Sequence, residues 1–190
     1  AVIREGWKAP TGPLPEPFGV FWADTSEHQK DANQRPVLID ETYPHKVYAL
    51  RCNTSKQVDT VFIENYRRAC IMADEGRLEV IIAYAFWRPG HDTWGTMQRA
   101  IEEAGGAHRR LVIMVDVEDG KGSALGSVFG DQSAGVNDFL EKAIAFLGGD
   151  RRRVLGYQNY VANPGLWLTK PADIKMVIPW YNNDISRRPT

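Results

Sequence analysis

One stretch limits the fold more than any other: Leu111-Val112-Ile113-Met114-Val115-Asp116-Val117-Glu118-Asp119-Gly120. Five apolar residues lead directly into three carboxylates and a glycine. A run of this length with no polar face reads as a strand buried on both sides, the mark of a parallel sheet covered by helices. The acids fall at its C-terminal end. That is where ligands and catalytic groups collect in α/β sheets and barrels.

Side chains alternate across a strand, so Asp116 and Glu118 share one face while Val117 points the other way. Their Cα atoms should lie roughly 6.5–7 Å apart. Two carboxylates that close, above an apolar floor, can have their pKa values pushed apart, one holding a proton while the other stays ionised. Cleavage of a glycosidic bond needs that division of labour. The stretch alone leaves open an acidic strand end that faces water or caps a helix.

The rest of the chain alternates in the same sense. Phe18 to Asp24 reads as a first strand, Lys46 to Cys52 as a second, Leu78 to Phe86 as a third. Val154 to Tyr157 and Lys175 to Tyr181 read as a fifth and sixth, the last with Pro179 near its end, which suits an edge or a bulge. Between them, Phe62, Ile63, Tyr66, Ala69 and Cys70 form a helical stripe that Asp59 can cap and Gly76 can stop. A helix is predicted from about Thr93 to Ala104. Another follows Asp131 or Ser133, with Val136, Phe139, Leu140, Ala143, Ile144 and Leu147 on its apolar face. Strand and helix in turn predict a parallel α/β sheet. Val37-Leu38-Ile39 reads as a strand inside a long loop, and Leu166-Trp167-Leu168 is ambiguous. Residues 1–17 contain Pro10, Gly12, Pro13, Pro15 and Pro17, and read as a linker-like segment before a domain spanning 18–190.

Composition excludes several classes. With 190 residues, 43% of them hydrophobic, the chain suits one domain with a sizeable core. A formal net charge of -1 argues against a nucleic-acid footprint. No apolar run approaches the roughly 20 residues that span a bilayer, so no membrane insertion is expected. Cys52 and Cys70 read as buried thiols rather than a disulfide, and the scattered His28, His45, His91 and His108 suggest no metal site. The glycine-rich loop from Gly120 to Gly130 invites a phosphate-binding reading. Its order, Gly-Lys-Gly-Ser, does not match a loop closed by Gly-Lys-Ser/Thr, and an active-site loop is preferred.

Acids end three predicted strands: Asp24, the Asp116/Glu118 pair, and Asp184 beyond the sixth. In a parallel arrangement these ends meet at one rim. Trp22, Tyr84, Phe86, Trp87, Tyr157, Trp180 and Tyr181 crowd the same ends. Sugar rings have apolar faces and hydroxyl edges, so an acidic groove walled by these aromatics suits a polysaccharide. For Tyr84 and Phe86 a packing role is an equal alternative.

At this point the chain resembles a family. Asp24-Thr25-Ser26-Glu27-His28-Gln29 is similar to the opening Asp-Val-Ser-x-x-Gln of family 25 glycoside hydrolases, the Chalaropsis-type lysozymes found among phage endolysins. Leu111 to Glu118 resembles that family's strand ending in Asp-x-Glu. Tyr84-Ala85-Phe86 resembles its Tyr-His-Phe with Ala85 in place of the histidine, and Gly156-Tyr157 and Pro179-Trp180-Tyr181 resemble later strand ends. The resemblance runs from about Phe18 to Asp184. It implies a TIM-like modified β/α barrel of about five β/α units plus extra strands. The family's last two strands have no counterpart before Thr190, so the barrel is expected to be incomplete at its C-terminus unless Val37–Ile39 or Leu166–Leu168 substitutes.

The resemblance also implies hydrolysis of the β-1,4 bond between N-acetylmuramic acid and N-acetylglucosamine in peptidoglycan, with no cofactor. Glu118 would be the general acid and then the base. Asp116 would orient the substrate's acetamido group, Asp24 would stabilise positive charge beneath the reacting sugar, and Asp184 is a weaker match to a further acid. The partners expected are glycan strands of the bacterial cell wall, with further domains upstream as in modular endolysins. The N-terminus shows no secretory pattern, so the expected routes to the wall are release by a separate pore-former or export through sequence upstream. A double displacement wants carboxyls about 5–5.5 Å apart and inversion about 6.5–9.5 Å. Two acids on one strand face favour a retaining route in which the substrate's own N-acetyl group attacks. The rival from another class is a cell-wall-binding module that keeps the groove and cleaves nothing; a nucleotide-using enzyme built on the 120–130 loop is a weaker third.

Overall fold

The computed structural model describes residues 22–121, 125–159 and 163–177. They form a single six-stranded sheet: β1 (Trp22–Thr25), β2 (Val47–Asn53), β3 (Val80–Phe86), β4 (Leu111–Val117), β5 (Val154–Gln158) and β6 (Lys175–Val177). The strands pair in sequence order and every pairing is parallel. Three helices make the crossovers: α1 (Phe62–Asp74), α2 (Thr93–Glu103) and α3 (Ser133–Phe146). This is a modified β/α barrel left incomplete, with β1 and β6 as its edges among the described residues. No described helix is long and apolar enough to cross a membrane.

Strand parity sorts the core into two layers. Tyr48, Leu50 and Cys52 of β2, Ile81, Ala83 and Ala85 of β3, and Leu111, Ile113, Val115 and Val117 of β4 face the helices. Ala49, Ile82 and Met114 face inward, ringed by Val47, Val80, Val112 and Leu155. The fourth strand is therefore apolar on both faces because each face has its own packing partner. The helices begin and end where local chemistry directs. Asp92 accepts the Gly95 N–H at 2.9 Å and starts α2, and the Asp131 carboxylate takes the Ser133 N–H at 3.0 Å ahead of α3. Gly76, at φ +77°, lets the chain leave α1 in the left-handed region.

Two expectations need correction, and one ambiguous segment is resolved. Val37-Leu38-Ile39 is not a strand. Asn65 of α1 uses its amide for that segment instead, accepting the Ile39 N–H at 2.7 Å and donating to the Val37 carbonyl at 3.1 Å. Leu166-Trp167-Leu168 does not join the sheet either. Trp167 is driven into the core over Gly156, and its indole N–H donates to Asn137 of α3 at 3.0 Å. Neither segment closes the barrel. Asp59, expected as a helix cap, reaches only the Val61 N–H, at 3.2 Å, and spends its other oxygen elsewhere. The linker-like residues 1–17, and Trp180, Tyr181 and Asp184, lie outside the described residues.

Candidate active site

Register decides which side chains meet. Asp24 pairs with Ala49, Ala49 with Ile82, and Ile82 with Val112, so Asp24 belongs to the inner face. Asp116 is on the same face four residues after Val112. In a barrel of eight strands and shear 8 the stagger is about one residue per strand. Three of those four positions are therefore the tilt of the strands, and the curled sheet brings Asp24 nearly level with Asp116. Phe86, Asp116, Tyr157 and Val177 are paired in one row across β3 to β6. Glu118 continues the β4 parity one step beyond Val117, at the mouth.

The electrostatics agree with the register. Asp116 is half-buried, with one carboxylate oxygen fully enclosed, and this desolvation raises its pKa well above the ordinary 3.8. The negative charges of Glu118 and Asp24 raise it further, while the guanidinium groups of Arg88 and Arg51 pull the other way. Glu118 is also raised, first by burial and then by Asp119; Arg88 and a hydrogen bond from Tyr157 oppose this. Asp24 is raised by burial, against a hydrogen bond from Tyr84 and the charge of Arg51. Three half-buried carboxyls thus share one mouth, and partial desolvation is the largest influence on each, favouring the protonated form. One oxygen of Asp24 and one of Asp116 are buried with no hydrogen-bond partner.

Around the acids, Tyr84 and Tyr157 are hydrogen-bond donors to Asp24 and Glu118 respectively. Phe86 lies on the inner face beneath Arg88. Trp22 is 38% exposed and sits one inward-facing position before Asp24, at the N-terminal end of β1 and so below the mouth. Trp87 has the opposite parity. It is buried among the helix-side residues, where Gly135 of α3 makes room: a Cβ there would come within 2.5 Å of the indole ring. The structure therefore brings Asp24, Asp116, Glu118, Tyr84, Phe86 and Tyr157 together, holds Trp22 at their margin, and puts Trp87 on the other side of the sheet.

Two cations at this mouth were not anticipated. Arg51, at the end of β2, pairs in register with Tyr84. Its Nη2 donates to buried Asp59 at 2.9 Å and to Glu27 at 3.3 Å, and the Glu27 N–H returns a bond to Asp59 at 3.0 Å. This network ties the loop after β1 to the start of α1. Arg88 follows β3. Its signal was the same parity rule, since Tyr84, Phe86 and Arg88 are two residues apart. Beside Asp24, a cleft of about 640 Å³ runs under the loop after β1, lined in part by His28, Leu38 and Tyr43. Among the described residues, no group of three His, Cys, Asp or Glu has the spacing of a metal site.

No family model matches the sequence. The chain is 31% identical over 167 residues to an uncharacterized protein of Mycobacterium tuberculosis, an alignment covering 86% of this chain and 56% of that protein. The chain thus spans little more than half the length of the curated relative it matches. Among solved structures, a family 25 glycosyl hydrolase from Bacillus anthracis superposes with a TM-score of 0.59 at 15% identity, covering 91% of this chain and 76% of that one. The modular autolysin LytC from Streptococcus pneumoniae, solved with a synthetic peptidoglycan ligand, gives a TM-score of 0.45 at 16% identity, covering 72% and 31%. The first likeness establishes the fold, a modified β/α barrel.

Proposed function

We propose that this chain is a glycosidase of bacterial cell-wall peptidoglycan, an N-acetylmuramidase that cleaves the β-1,4 bond between N-acetylmuramic acid and N-acetylglucosamine. The observation that supports the reading most is that register puts Asp24 and Asp116 on the inner face, Glu118 continues that parity at the mouth, and the charges of Asp24 and Glu118 both bear on Asp116. The fold shared with a family 25 glycosyl hydrolase supports it, and the resemblance of the Asp24 and Asp116–Glu118 motifs supplies the substrate.

Glu118 is the general acid. Its raised pKa keeps a proton available where an ordinary carboxylate has lost it, and it gives that proton to the glycosidic oxygen as the bond breaks. The substrate's N-acetyl oxygen attacks the anomeric carbon, so no second carboxylate need come within bonding reach. Glu118, now ionised, takes a proton from the water that opens the cyclic intermediate. Asp116 orients the acetamido group, and Asp24, whose ionised form the Tyr84 hydrogen bond and the Arg51 charge favour, offsets the positive charge that builds on the ring. Tyr157 steadies the Glu118 carboxyl.

Clearing of purified peptidoglycan by the full chain and by Glu118→Gln tests this. Clearing by the natural chain with a loss of about 100-fold or more in the variant is expected. Equal clearing by both would remove Glu118 from the mechanism. No clearing by either, with retained sedimentation on the wall, would favour a binding module. The anomer formed first, read by NMR, should be the retained one.

A further inference from the structure

Arg88 is a buried cation that this chemistry leaves unused. It is 2% exposed. Its guanidinium lies 3.6 Å from the centroid of the Phe86 ring. Nη1 donates to the Glu118 carbonyl at 2.6 Å and to the Trp87 carbonyl at 3.1 Å. Nε and Nη2 are buried without a hydrogen-bond partner. A guanidinium offers five donors in one rigid plane, and enclosing it with two nitrogens unsatisfied is costly. The fold accepts that cost by specific means. Gly120 stands where any Cβ would overlap the guanidinium, and at φ +67° it takes a backbone conformation that side chains disfavour. The groups facing Arg88 are Asp116, Glu118 and Asp119. Those facing the acids are Asp24 from β1, Arg51 from β2, Tyr84 and Arg88 from β3 and its end, Asp119 beyond β4, and Tyr157 from β5.

We propose that Arg88 is a positioning residue for the acid pair. It grips the main chain of Glu118 from beneath, so that the Glu118 carboxyl has one direction, and its fixed positive charge governs how many of Asp116 and Glu118 can be ionised together. The first role rests on Glu118 being the general acid. The second does not.

The second is tested without substrate. In the full chain labelled with ¹³C at Asp and Glu carboxyls, Arg88→Met should move the titration midpoints of Asp116 and Glu118 upward by about 1 pH unit or more. Arg88→Gln, which still carries an amide donor, should move them the same way and serves if the Met variant does not fold. Arg88→Lys, which keeps the charge, should leave them near the natural values. Midpoints that stay put in the folded Met or Gln variant overturn the electrostatic role.

The first role is tested on peptidoglycan. Arg88→Lys should lower kcat about 10-fold or more with KM little changed, because an ammonium cannot reproduce a planar grip. A natural kcat in the Lys variant overturns the positioning role. If the natural chain cleaves nothing, the muramidase reading fails, while the titration still decides the electrostatic role.

Discussion

Asp116 sits where a carboxylate is least at ease: burial, Glu118 and Asp24 all oppose its charge. Its folded-state pKa lies above the ordinary value, so the folded chain binds this proton more tightly than the unfolded chain does. The stabilising effect is fully present below about pH 3.8 and is lost as pH rises through the folded-state value. Asp116→Asn should therefore abolish cleavage yet raise the melting temperature at neutral pH, by about 2–4 °C per kcal/mol gained in a chain this long. Thermal melts from pH 3 to pH 8 check it; the gap between the two proteins should close toward the acid end. The acids themselves were legible because parity and strand ends are sequence properties. Arg51 and Arg88 were not, because a charged residue at a strand end ordinarily reads as solvated. What buries them is remote in sequence: Asp59 for one, the missing side chain of Gly120 for the other.

At the scale of elements, the β5–Trp167 contact shows how a connection can fill a core without becoming a strand. A Cβ at Gly156 would come within 2.5 Å of the Trp167 ring and 2.8 Å of the Met176 sulfur. Gly156→Ala should destabilise the fold by about 1–3 kcal/mol through overpacking. A lower urea midpoint with unchanged slope is the expected result, and Trp167→Phe in the same chain should recover part of the loss. The three helices and four of the strands could be read closely from periodicity, since each has a long apolar stripe and a stop signal. The two short apolar triplets could not. Three residues show no period, and their partners, Asn65 in one case and Gly156 with Asn137 in the other, are distant in the chain.

Across the whole molecule, sequence order equals sheet order, and the covering helices lie over the middle strands. Amide hydrogen exchange should be slowest in β2, β3 and β4, and faster in β1 and β6, which each have one neighbour among the described residues. The curl that follows from strand tilt is what makes one mouth out of acids 92 residues apart, Asp24 and Asp116. The interlock of Gly120 with Arg88 reaches past this one chain. The two positions divide a single volume, so a descendant that gains a methyl at 120 should also have shortened 88. Across a set of relatives the two sites are expected to change together, as a large-with-none or a small-with-some combination.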